Sequence, residues 1–427
     1  MSVSVGMDST LYFMSFDYQS GERLWKSDGT LQGTKTIRGF LPGPADEGTY
    51  YGSFNFTAIG PNLFLAGNDV VNGCEPWMSD GTTSATVMLG DINPGPNSCD
   101  PQGFGQVGSA VCFFADDGVH GRELWKADLK NGRTLLVKDI RAGAESSVPG
   151  GPYSGVEIKT IGSTAFFGAD DGVHSGELWK TDGTESGTVL VRDAYPNGYS
   201  SRPNHLTVVG STLYYLHGGL WRSDGTASGT MMVKSLYDDY TEQIVTMDSV
   251  LYFRGSGQEG LGLWRSDGTT SGTYLVKAFH SVSQSIFPQQ ITASGSKLFF
   301  VADDSVHGSE LWRSDGTEAG TVMVKDIVLG SGGIYCWCIA AVGRYVYFNA
   351  NDGIHGRELW RSDGTERGTV MVDDIWPGAE DSNPHSFTVV GSTLFFSADN
   401  GLWGSELWKI VHKPNPTGES GIWPQYP

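Results

Sequence analysis

Four segments share a pattern that could hold a metal ion: Asp116-Asp117-Gly118-Val119-His120, Asp170-Asp171 to His174, Asp303-Asp304 to His307, and Asn351-Asp352 to His355. Each histidine is followed three residues later by a glutamate, at Glu123, Glu177, Glu310 and Glu358. Carboxylates with imidazole are metal ligands, and loops this rich in oxygen suit calcium before a transition metal. The calcium candidates are therefore Asp116, Asp117, Asp170, Asp171, Asp303, Asp304 and Asp352. Several features oppose a metal. The H-x-x-E spacing crosses a turn into a strand, whereas zinc hydrolases place such residues on one helix face. No D-x-D-x-D-G loop is present, and the pattern recurs, although a catalytic site is needed once. Asp-Gly turns closed by side-chain-to-backbone bonds account for the pattern with no cofactor, and calcium is the only one kept as an option.

Aromatic side chains offer a second chemistry. Nine of the 13 tryptophans belong to a repeated Leu-Trp-type pair, and Trp337, Trp376, Trp403 and Trp423 do not. Whatever recurs in every repeat is scaffold; whatever breaks the repeat is a candidate for function. Trp337 shares a loop with Tyr335, and Trp403 stands where other copies have histidine. Aromatic faces grouped on one rim suit stacking on sugar rings or gripping an apolar peptide side chain. The ligand-binding candidates are Trp337, Trp376, Trp403 and Tyr335. Tyr153, Tyr195, Tyr199, Tyr237 and Tyr240 decorate corresponding links, with a signal no more specific than a protein-binding rim.

Five cysteines leave at least one unpaired. Cys74 and Cys99 fall in loops expected to share a face, where a disulfide is geometrically feasible. Cys336 and Cys338 flank Trp337, and a bond between them would be strained; Cys112 reads as a small buried apolar residue. No catalytic residue is assigned. The chain has no G-x-S-x-G elbow, P-loop or HExxH, and pairs such as His385 with Asp381 are not brought together by sequence alone.

The elements that position these groups follow from an internal repeat. The tryptophans at 25, 77, 125, 179, 221, 264, 312, 360 and 408 are separated by 52, 48, 54, 42, 43, 48, 48 and 48 residues. Each copy holds short runs of the type FTVVG, TLFFSA, ELW and TVMV, divided by Gly, Asp, Asn and Ser. Runs rich in Val, Phe, Thr and Trp read as strands, SDGTxxGT reads as a tight hairpin, and no stretch sustains a helical period. Four antiparallel strands every 48 residues predict an all-β fold, a single β-propeller. Nine blades are favoured over eight, because eight would orphan a whole copy. Adjacent Leu and Trp in one strand require cover on both faces, which neighbouring blades supply. The propeller is expected over residues 1–411. The Pro-rich tail 412–427 is the candidate for the missing outer strand of the ninth copy.

These units resemble a known family. LWKSDGT at Leu24–Thr30 and the octets Glu177–Thr184, Glu310–Thr317 and Glu358–Thr365 are similar to the ELWxxDGT repeat of bacterial secreted and surface proteins. The resemblance covers practically the whole chain. It implies a propeller-like domain in an extracytoplasmic setting and little about activity. The chain departs from the pattern at Pro76, at Ala127-Asp128-Leu129, and in short copies near Gly219 and Gly260.

Charge narrows the function. Twenty-eight basic against 48 acidic residues leave a net charge of −20 on 427 residues. Such a field repels phosphate backbones and anionic lipid headgroups, so nucleic acid is not an expected partner. No apolar run approaches a bilayer span, and MSVSVGMDS lacks a signal pattern, which leaves a cytosolic chain or a mature domain without its leader; the resemblance implies the second, so the expectation is a secreted or cell-surface monomer whose leader is not in this chain, with no membrane insertion. In a propeller of this order the short turns VGST and DGT share one face, and the longer, variable loops share the other. The reading is a non-enzymatic binding propeller, lectin-like, taking a glycan on the variable face. The alternatives are a polysaccharide lyase or glycoside hydrolase on the same scaffold, and a protein-interaction scaffold.

Overall fold

A computed structural model describes residues 4–17, 21–40, 56–130, 132–148, 156–196, 203–237, 244–279, 288–411 and 422–424. The protein is all-β: nine four-stranded antiparallel sheets, the blades of a nine-bladed β-propeller, with no helix among the described residues. Blade seven is representative, with strands Gln289–Ser294, Lys297–Asp303, Ser309–Ser314 and Val322–Lys325 in that order across the sheet. The ninth blade takes its outer strand, Ile422–Pro424, from the tail, paired with Ser405–Val411.

Contacts gather the chain into two compact units. One comprises Met1–Met7, Tyr12–Ser27 and Thr34–Met232; the other comprises Asp8–Leu11, Asp28–Gly33 and Val233–Pro427. In the second unit, strand Lys297–Asp303 is buried along five consecutive residues, so both of its faces are covered. Neighbouring blades provide the cover: Leu298, Phe300 and Trp312 pack with Tyr252, Leu263 and Phe279 of blade six and its link. The first unit repeats this, with Phe114, Leu124, Phe167 and Trp179 in one cluster. Trp77, Trp179, Trp221, Trp264, Trp312, Trp360 and Trp408 are all buried. The indole N–H of Trp312 donates to Ala302 O at 3.0 Å, and that of Trp408 to Ala398 O at 3.0 Å, so the polar edges of these two rings are satisfied within their own blades.

The DGT hairpin is built the same way in blade after blade. Asp315 Oδ1 accepts the backbone N–H of Thr317 at 2.9 Å and its hydroxyl at 2.6 Å, and the Thr317 hydroxyl in turn accepts from Gly320 N–H at 3.0 Å. Beneath it, Ser314 and Thr321 share a buried hydroxyl bond of 2.7 Å. Gly316 lies at φ +88°, and a Cβ there would stand 2.2 Å from the Tyr252 hydroxyl. Glycine is needed here both for the left-handed backbone and for the close approach of the neighbouring blade.

Candidate functional site

Loops joining second to third strands are tied to one another by the links between blades. The Ser147 N–H donates to Arg122 O at 3.1 Å, and the Ser147 carbonyl accepts from Asp170 N–H at 2.7 Å. Cys99 joins Cys74 to Asp116 in this manner, and Ile334 joins Ser309 to Asn351. Between blades eight and nine, Asn383 N–H donates to Arg357 O and Ser382 O accepts from Asp399 N–H. These bonds set the loops of blades two to four on one edge of the first unit, and those of blades seven to nine on one edge of the second.

Buried glutamates hold the links in place. Glu123 Oε2 accepts from Ile140 N–H at 2.7 Å and Oε1 from Ser147 N–H at 2.9 Å; Glu358 receives Ile375 N–H at 2.9 Å and Ser382 N–H at 3.1 Å. Glu75, Glu123, Glu177, Glu310 and Glu358 are fully buried. Burial pushes the carboxyls of Glu75, Glu123, Glu310 and Glu358 up to about 7, against the opposing pull of the backbone N–H groups. They are struts inside the scaffold. The sequence pattern of carboxylate, histidine and glutamate left a metal open while its H-x-x-E spacing opposed one, and here the glutamates lie in strands covered on both faces.

The histidines serve their own turns. His120 Nδ1 lies 2.7 Å from Asp117 Oδ2, and Asp117 Oδ1 accepts from Val119 and His120 N–H at 2.9 and 2.8 Å. His174 with Asp171, His307 with Asp304, and His355 with Asp352 repeat this geometry at 2.7–2.8 Å. The Asp side-chain bond pushes each histidine above its ordinary value. Asp116 and Asp170 each accept a glycine N–H within their loops, at 2.8 and 2.7 Å, and Asp303 accepts Ser305 N–H at 2.6 Å. Among the described residues no group of three or more His, Cys, Asp or Glu is placed to hold a metal.

The aromatic candidates lie in the second unit. Trp337, 45% exposed, is covered on one side by the Arg357 guanidinium, 3.9 Å from the ring centroid. Arg357 is held by Asp381 Oδ2 at 3.1 Å and Asn383 Oδ1 at 2.6 Å, while Asp381 Oδ1 accepts Arg357 N–H at 2.7 Å. Trp337 N–H donates to Asn349 Oδ1 at 3.0 Å, which anchors the loop below the ring. The link carrying Asp381 and Asn383 begins with Trp376. That ring packs so closely on Gly401 that a Cβ there would lie 2.6 Å from it. Gly401 precedes Leu402 and Trp403, and Trp403 is 70% exposed. Thus Trp337 stands at one end of the link, Trp376 and the Trp403 loop at the other, and the cation and carboxylate between them were not legible as site residues in the sequence.

Tyr335 is 64% exposed and has φ +49°. The equivalent link positions, Asp100 and Asn383, have φ +46° and +47°. Asp and Asn tolerate the left-handed region, whereas a tyrosine there is strained. Strain of this kind collects at functional positions.

Of the other tyrosines, Tyr153, Tyr199 and Tyr240 lie outside the described residues. Tyr195 packs edge-on to Trp221 at 5.9 Å, and Tyr237 is exposed. His385 Nδ1 bonds to the Asn383 carbonyl at 2.8 Å instead of pairing with Asp381. All five cysteines are free thiols, although Cys99 N–H donates to Cys74 O at 3.0 Å. Burial pushes the Cys112 and Cys336 thiols up to about 12.

No protein-family model and no curated protein matches the chain. Among solved structures, the computationally designed Ika8 protein aligns with a TM-score of 0.47 at 11% identity, over 82% of this chain and 93% of that one. BamB from Moraxella catarrhalis aligns at 0.44 and 14% identity, over 82% and 93%. Puromycin hydrolase aligns at 0.42 and 14% identity, over 96% of this chain and 58% of its own. None of these likenesses carries a site residue onto this chain.

Proposed function

We propose that this β-propeller is a lectin-like, non-enzymatic binding protein of the ELWxxDGT repeat type, acting outside the cytoplasm on a glycan. The observation that carries the reading is the Trp337–Arg357 stack with Asp381 and Asn383. An indole pinned flat on one side leaves its other side for a sugar ring, and the fixed carboxylate and amide lie within the same constellation to meet hydroxyls. The net charge of −20 favours a neutral or amino sugar over an acidic polysaccharide. The glutamates raised to about 7 do not supply acid–base chemistry to this ligand, because they are sealed beneath the links. A glycan array with the purified chain tests the reading, followed by calorimetry on Trp337→Ala. Saturable binding that weakens at least tenfold in the variant, with an unchanged melting temperature, supports it. Binding that survives the substitution places the site elsewhere, and release of new sugar ends would turn the reading toward a lyase or hydrolase.

A further inference from the structure

The aliphatic side chain just before each tip histidine has no role in the turn that holds it. Val119, Val173, Val306 and Ile354, with Leu402 at the equivalent place, are 64–77% exposed. Turn chemistry does not call for them, since apices favour Gly, Asn, Asp or Ser. Yet each is clamped. The N–H of Val119, Val173, Val306 and Ile354 donates to the Asp at the start of its turn at 2.9 Å, and the neighbouring histidine locks that Asp. Leu402 N–H donates to Asn400 Oδ1 at 3.1 Å. Behind the tips the links pack so tightly that a Cβ on Gly121 would lie 2.8 Å from Glu145 backbone, and one on Gly356 2.0 Å from the Glu380 carbonyl. Rigid turns therefore present aliphatic side chains to water. They do so in the adjacent blades three and four of the first unit, and in the adjacent blades seven, eight and nine of the second.

Single exposed aliphatics are ordinary, but the same one at the same loop position of neighbouring blades forms a row. We infer that these rows of tips are a docking surface for a polypeptide in which apolar residues are interspersed with lysine or arginine. The occupant's charge follows from its surroundings. Glu380 is exposed in one link behind the tips and Glu145 in another, 3.9 Å from Arg141; each loop opens on two carboxylates or on one carboxylate and an amide, and the whole chain carries −20. That sign excludes nucleic acid and anionic lipid. Side chains with no hydrogen-bonding group do not recognise sugar hydroxyls, so this surface is independent of the Trp337 site. One tip buries little, and affinity comes from engaging several at once.

The test uses the full chain and fluorescence anisotropy with a 14-residue peptide alternating Lys and Leu. Alternating Lys–Ser and Glu–Leu peptides serve as comparisons. The Val119→Thr/Val173→Thr and Val306→Thr/Ile354→Thr variants keep β-branching and the backbone clamp, so the fold is retained. The expected result is that the variant combining both pairs weakens the Lys–Leu peptide by about tenfold, from the lost apolar contact of the tips, while each double variant alone lowers the amount of peptide bound at saturation. Both comparison peptides bind at least tenfold more weakly than Lys–Leu, and Trp337→Ala leaves the peptide affinity unchanged. Equal affinity of wild type and the variant combining both pairs overturns the proposal. So does Lys–Ser binding equal to Lys–Leu, which would be charge attraction without docking. Tip-dependent binding to phosphatidylcholine vesicles, or a tip-dependent dimer of this chain, overturns the polypeptide as occupant.

Discussion

The ammonium of Lys409 donates to the carbonyl of Gly29, a residue 380 positions earlier in the chain. The bond repeats one made between consecutive blades. Lys26 reaches Gly81 O at 2.8 Å, Lys126 reaches Gly183 O at 2.7 Å and Lys180 reaches Gly225 O at 2.8 Å. In each case the residue after the core tryptophan caps the DGT turn of the following repeat. Blade nine thus uses the first repeat's turn as its next neighbour. A charge-assisted bond in a half-buried setting is worth about 1–2 kcal/mol. Lys409→Met should lower the urea midpoint accordingly, with an unchanged dependence on denaturant; no shift in the midpoint would show that the contact contributes nothing.

Tyr335 should reveal a conflict between stability and binding. Replacing it with Asn, which the equivalent position of the next link already carries, relieves a left-handed tyrosine and should stabilise the fold by about 1 kcal/mol. The same variant should bind glycan more weakly, because an exposed ring beside Trp337 is lost. Thermal melting and calorimetry on one preparation read both effects. A variant that is less stable than wild type would mean that the ring packs more than it strains.

The buried glutamates give the protein an acid preference. Their folded values of about 7 lie above the ordinary 4.5, so between these pH values the folded chain holds more protons than the unfolded one. Stability therefore falls as pH rises through that window and levels off above it, by at most about 3 kcal/mol per carboxyl. The raised histidines add the same sign: their contribution is complete below 6.5 and is lost as pH rises through their folded values. The DGT aspartates, held below 3.8 by Thr bonds, reverse the slope only in stronger acid. Melting curves from pH 3 to 8 should peak between roughly 4 and 5. Glu123→Gln should flatten the descent; an identical slope in that variant would remove Glu123 as a source.

Calcium should leave the melting temperature unchanged. The aspartate oxygens at Asp117, Asp171, Asp304 and Asp352 already accept N–H groups of their own turns and face a histidine nitrogen. A cation would have to displace those bonds. Millimolar calcium followed by chelator checks this. A rise in melting temperature that chelator reverses would restore those aspartates as ligands by ligand linkage.

Much of this protein is written locally. The 48-residue period, the SDGT turns and the adjacent Leu-Trp pairs determine four-stranded blades and their number, because strand alternation and turn chemistry act between near neighbours in the chain. The same locality marked Trp337, Trp376, Trp403 and Tyr335 as breaks in the repeat. Tertiary structure decided what those residues touch. Arg357 meets Trp337 from 20 positions away and Asp381 from 24, through a link whose path is set by buried Glu358. The H-x-x-E signature could be read either as ligands or as scaffold until burial was known, since only neighbouring sheets exclude water from the glutamate and leave the histidine to its turn. The outward valines were hidden for the opposite reason. In sequence an aliphatic residue looks like core, and only the packed blades determine which ones are left facing solvent.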